Sequence, residues 1–249
     1  MMSSYAYTFM ILPFAAAWIV LTIKSPRSRG AIWVMSALGG LAGPISEYWH
    51  LRDYWHPDYL LAINVGGWRF GVEDYVLTFA LAGIVMALFE KFGAKKEWGR
   101  LPRVSWKCLF RLDMIGNCGI LLMILFTLVF RMNSIYAVLL TLLISSAALY
   151  WKRPAWIPKV LPVAAAFSIF YWMVFRFVFM PLFPGILERW WNLEALWGVR
   201  FAGVPIEEPL WAFGLALFAG PVYRVCSVGT GIRKSGIVDS ASGIGPRET

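Results

Sequence analysis

Seven stretches of this chain, each about twenty residues long, are mostly apolar. They cover 5–23, 30–49, 71–92, 109–131, 133–150, 160–183 and 203–226. Inside a bilayer the backbone must satisfy its own N–H and C=O groups, so runs of this length predict membrane-spanning helices. Composition agrees, with 59% hydrophobic and 15% charged residues against about 45–50% and about 25% in soluble domains. The predicted fold class is all-α: a polytopic membrane protein of about seven transmembrane helices.

The net charge of +9 does not predict nucleic-acid binding, because the basic residues sit in short loops between apolar runs. If the helices alternate, one side receives sixteen Lys and Arg, from Lys24 to Arg247, and the other only five: Arg52, Arg69, Arg131, Arg189 and Arg200. The positive-inside rule then predicts an outside N-terminus and a cytoplasmic C-terminus. The expected location is a bacterial or archaeal cell membrane. The first run lacks a basic region before it and a cleavage site after it, so it reads as a retained span. The tail 229–249 is rich in Gly and Ser and is expected to be disordered.

Two short acidic stretches stand out: Gly71-Val72-Glu73-Asp74 and Val204-Pro205-Ile206-Glu207-Glu208. Each opens an apolar run. Carboxylates entering a membrane helix are costly, so Glu73, Asp74, Glu207 and Glu208 are candidate functional groups. Close carboxyls do not both ionise readily, and a buried neutral acid can protonate a weak base such as an alkene. The plainer reading is that acids at helix N-termini complement the macrodipole.

The acidic pairs belong to a repeat. The stretch from Trp55 leads to Glu73-Asp74 and then Phe79-Ala80-Leu81-Ala82-Gly83. The stretch from Trp191 leads to Glu207-Glu208 and then Phe213-Gly214-Leu215-Ala216-Leu217. The predicted layout is a three-helix repeat with a basic cytoplasmic loop (1–108), a connecting helix (109–132), a second three-helix repeat (133–228) and the tail. Three helices plus a connector give two parallel repeats, related by an axis along the membrane normal. Both acidic pairs then lie toward the outer side.

Glu47 ends the second run on that side and is a candidate member of the cluster. Trp55 and Trp191 repeat, and their ring faces are candidates to stabilise a cation. Arg176, inside the sixth run, needs a partner, and a carboxylate of the cluster is the expected one. Three cysteines without paired spacing predict neither a disulfide frame nor a zinc site. Two histidines, His50 and His56, are too few for a His-rich metal site. No phosphate loop, dinucleotide fingerprint or aspartate-rich pair is present, and the last run has no lysine for a retinal Schiff base. No cofactor and no metal are expected.

Two aromatic, apolar stretches that each run into a Pro-Ile-Glu-Glu type motif resemble the lycopene cyclase domain. The second half carries the motif as Pro205-Ile206-Glu207-Glu208; the first has Gly71-Val72-Glu73-Asp74, keeping the acids and losing the proline. The resemblance implies a redox-neutral isomerase that closes linear ends of lycopene into β-ionone rings. It implies acid and base roles for Glu207 and Glu73, tuning by Asp74 and Glu208, and a hydrophobic isoprenoid partner held within the bilayer. The competing class is a non-catalytic carrier or lipid-binding protein with a proton-coupled acidic cluster.

Overall fold

The computed structural model describes residues 5–93, 105–151 and 153–228. The long helices are α1 (Ala6–Lys24), α2 (Arg29–Asp53), α3 (Val72–Leu88), α4 (Trp106–Ile124), α5 (Ser134–Trp151), α6 (Ile157–Val174) and α9 (Glu207–Val228). Between α6 and α9 lie two short helices, α7 (Met180–Leu182) and α8 (Ile186–Trp190). Six of the described helices are long and apolar enough to cross a membrane. The exception among the long ones is α2, whose glycines, serines and polar C-terminal end dilute its apolar character. The chain is an all-α polytopic membrane protein. The predicted disordered tail and most of the basic loop before α4 lie outside the described residues.

The helices fall into two triplets. In the first, α3 packs against α2 and α1; in the second, α9 packs against α6 and α5. The two centres, α3 and α9, meet each other. The connecting helix α4 lies at the edge against α5 and α9, with Phe110, Met114 and Leu121 exposed on its outer surface.

Glycines allow the closest of these contacts. On α2, Gly39, Gly40 and Gly43 lie against α3: a methyl group at Gly43 would collide with the Asp74 carbonyl and Thr78, and one at Gly40 would come within 2.8 Å of the Tyr75 ring. Between membrane helices there is little hydrophobic drive, so small residues at such spacing let backbones approach and gain packing. This contact fixes the end of α2 beside the start of α3.

Each central helix is preceded by the same small device. Strands β1 (Ala62–Val65) and β2 (Trp68–Gly71) form a hairpin before α3, and β3 (Arg200–Phe201) and β4 (Val204–Pro205) form one before α9. The two-residue turns are Gly66-Gly67 and Ala202-Gly203, all with positive φ, as a tight hairpin with both central residues left-handed demands. The first arm is two residues longer.

The two triplets touch at both ends of the bundle. Trp55 and Trp191 form an isolated antiparallel bridge at one end. At the other end Arg224 of α9 donates to both Glu90 carboxylate oxygens at 2.6 and 2.7 Å, and the two residues are 134 positions apart. Both are buried, with side-chain exposures of 3% and 8%. A different bond repairs α9, where Pro221 has no N–H for the Leu217 carbonyl one turn back. The Tyr150 hydroxyl of α5 donates to that carbonyl at 2.5 Å.

Removing one partner of a buried pair leaves an uncompensated charge, at a cost of about 3–5 kcal/mol. Glu90→Gln should therefore lower thermal stability in detergent markedly, and Tyr150→Phe by about 1–3 kcal/mol, the cost of an unsatisfied buried acceptor. Denaturation midpoints of the purified variants check both.

Candidate active site

Every long helix except α4 sends a side chain to one cavity, at the end of the bundle where α1, α3, α5 and α9 begin and α2 and α6 finish. Its wall includes Tyr7 from α1, Glu47 and His50 from α2, Asp74 from α3, Ile135 from α5, Tyr171 from α6 and Glu208 from α9. Tyr54, Trp55 and Trp191 come from the loops that close this end.

Three carboxyls share the cavity, and each is held by hydroxyl, indole or amide donors. Asp74 accepts from the Tyr7 hydroxyl and from the Gly71 N–H, both at 2.7 Å. The second bond is the return half of a capping box, which fixes Asp74 at the helix start. Glu208 accepts from the Tyr54 hydroxyl, from the Tyr171 hydroxyl at 2.9 Å and from the Trp191 indole at 2.8 Å. Glu47 accepts from the Trp55 indole at 3.1 Å and from the Tyr59 hydroxyl at 3.1 Å. Burial, reinforced by the charges of Glu47 and Asp74, holds the Tyr59 hydroxyl well above its ordinary pKa, so it remains a donor.

The structure divides each acidic pair. Asp74 and Glu208 line the cavity; Glu73 and Glu207 do not. Neighbouring residues on a helix do not face the same way, so only one of each pair can point inward. Glu73 holds the loop before β1, accepting from the N–H groups of Leu60 at 2.7 Å and Leu61 at 3.3 Å. Glu207 does the same in the second triplet, accepting from the Trp197 N–H at 2.8 Å and the Tyr136 hydroxyl at 3.2 Å. Each leaves its second oxygen buried without a partner among the described residues.

Glu47, Trp55 and Trp191 are all on the wall, in company with the carboxyls. Arg176 is not: its guanidinium lies over the Phe177 ring at 5.7 Å, and it makes no ion pair among the described residues. It falls in a π-helical stretch, Phe175–Phe179, whose wider turn aims Phe175 at the cavity and leaves Arg176 off the wall. Among the described residues, no Lys or Arg lines the cavity. Instead the wall is aromatic. Tyr7 and Trp55 meet edge to face at 5.3 Å, Phe175 and Trp191 do so at 5.5 Å, and Trp55 and Trp191 lie tilted at 5.3 Å.

Tyr7, Tyr54 and Tyr171 are wall residues that the sequence alone did not single out. Their signal was present, since a phenol in or beside an apolar run needs a hydrogen-bond partner once buried. The cavity encloses about 60 Å³. An apolar cavity of roughly 150 Å³ is what accommodates a benzene, so a substituted ring requires the wall side chains to move apart.

Fold and site together define an integral membrane protein whose bundle closes around carboxyls and aromatic rings. The family model described as lycopene cyclase matches residues 133–226, so this part of the chain is a lycopene cyclase family domain. The match spans α5 to α9 and includes Tyr171, Trp191 and Glu208. No curated protein and no solved structure gives a significant match.

Glu73→Gln and Glu207→Gln should act on the loops and not on the cavity. Hydrogen exchange is expected to rise at Leu60 and Leu61 in the first variant and at Trp197 in the second. Bonds to a charged acceptor contribute about 1.5–3 kcal/mol, so the local increase should be large; unchanged exchange would contradict the loop-holding role.

Proposed function

We propose that this chain is a membrane-integral lycopene cyclase that converts linear polyene ends to β-ionone rings by proton-initiated, redox-neutral cyclisation. One observation carries the reading: three carboxyls and a set of aromatic faces share one buried cavity that, among the described residues, no Lys or Arg lines. A carbocation would be repelled by a basic side chain and is favoured by ring faces and carboxylates.

Asp74 and Glu208 are the acid candidates. Like charges in one desolvated cavity are costly, so the three carboxyls retain a proton among them. Delivered to the terminal double bond of the polyene, that proton leaves a tertiary cation. The neighbouring double bond attacks it and closes the ring, and a base on the wall removes a ring proton. Trp55 and Trp191 face the developing charge. The site needs no reductant, because nothing is oxidised or reduced. Arg176 away from the wall removes the feature that would have favoured an ion relay. An outside N-terminus belongs to this reading; the cavity then lies toward the outer leaflet, where a long polyene can reach it from lipid.

Pigment analysis of lycopene-producing cells tests this. Cyclised carotenoid should accumulate only with the chain present. Positioned acid–base groups contribute about 10²–10⁴-fold, so Glu208→Gln and Asp74→Asn should cut the product by at least about 10²-fold. Glu73→Gln should retain more activity than either. Lycopene left intact by abundant, membrane-inserted wild-type protein would remove the assignment.

A further inference from the structure

One wall residue has a support that the carboxyls do not explain. His50 is buried, with 7% of its surface exposed, and its ring lines the cavity. Its Nδ1 lies 2.8 Å from the Ser134 hydroxyl. That hydroxyl lies 2.6 Å from Asp53 Oδ1, while the Ser134 backbone N–H donates to Asp53 Oδ2 at 2.9 Å. Asp53 also closes α2 one turn after His50, so α2 and the start of α5 build the chain together.

The direction of these bonds fixes the imidazole. A carboxylate only accepts, so the single Ser134 hydroxyl proton goes to Asp53. The hydroxyl oxygen is then an acceptor, and Nδ1 must carry the hydrogen donated to it. The neutral ring is left with a bare Nε2, which makes no hydrogen bond among the described residues. The order of the three groups also excludes a serine nucleophile: Ser134 stands between His50 and Asp53, and its proton is directed away from the imidazole. The Tyr54 ring meets His50 edge on at 5.5 Å, and its hydroxyl donates to Glu208. A base and an acid candidate thus sit on either side of one phenol.

We propose that His50 is a catalytic residue of this site: its Nε2 is the base that takes the ring proton. The inference rests on the cyclase reading and names the group which that reading leaves open. The steps balance. A carboxyl gives its proton to the terminal alkene, and the next double bond supplies the electron pair that closes the ring. Nε2 removes a proton from a ring carbon beside the cationic one, and the C–H pair becomes the ring double bond. The imidazolium then donates through Nδ1–H to Ser134, which Asp53 backs with its charge. Returning the proton from Nε2 to the carboxylate that gave one restores both groups. Ser134 and Asp53 are positioning residues, acting through the imidazole.

Two readouts test the assignment. The chain has two histidines, His50 and His56, so nitrogen NMR of histidine-labelled protein in detergent resolves two rings, and His50→Gln identifies which is which. The hydrogen of His50 should sit on Nδ1, and Ser134→Ala should shift it toward Nε2; a wild-type hydrogen on Nε2 would overturn the proposal without any assay of activity. The second readout is product. His50→Gln should lose about 10²-fold or more in kcat with KM within a few fold, and residual product should carry its ring double bond at a different carbon. A protein merely loosened by the substitution would keep the wild-type ring type. Ser134→Ala should lower kcat less than His50→Gln and serves if the latter does not fold. Full activity and unchanged rings in His50→Gln would sink this assignment alone; a wild type that forms no ring would sink the cyclase reading and this with it.

Discussion

Carboxyls buried without a cation are the constraint around which this molecule is arranged. Moving a carboxylate out of water costs several kcal/mol even after relaxation. In the proposed cyclisation, the usual remedy, a basic partner, would place a positive charge where the cation forms. The structure meets the cost with dipoles: phenols on Asp74 and Glu208, indoles on Glu47 and Glu208, a helix-start amide on Asp74. Such donors are fixed by packing, so they need little rearrangement when charge moves. The arginine that is buried and paired, Arg224, is held at the opposite end of the bundle by Glu90.

The packing of α3 against α9 explains how so many donors converge. Each triplet alone offers one inward carboxyl at the start of its central helix, one loop-holding glutamate beside it and one tryptophan on the connecting loop. Setting α3 against α9 brings the two ends together, and the Trp55–Trp191 bridge ties the closing loops. The halves are not duplicates. Glu47 and His50 enter from α2 and Tyr171 from α6, so Asp74 and Glu208 sit in different company. That asymmetry suits the proposed proton transfer, in which a donor and an acceptor must differ.

Much of the architecture was legible in the residues. The apolar runs located the long helices. The cluster itself was half legible. Asp74, Glu208, Glu47, Trp55 and Trp191 all stand out in the sequence and all reach the wall, whereas Glu73 and Glu207 stand out equally and turn to the loops. Arg176 was expected beside a carboxylate, on the rule that a charge in a membrane helix seeks its opposite. The rule names no partner, and the π-helical turn at Phe175–Phe179 gives it the Phe177 ring.

By itself the sequence determined that the chain spans a membrane and that acids stand at the heads of two spans. Hydropathy and the cost of charge are local properties, and they were enough for that. Which acid of each pair faces inward was decided by tertiary structure, because adjacent residues diverge around a helix and only the neighbouring helices define which direction is in. The same holds for His50, whose hydrogen-bond partner is Ser134, 84 positions away. Bond direction along that chain exists only once α2 and α5 are side by side.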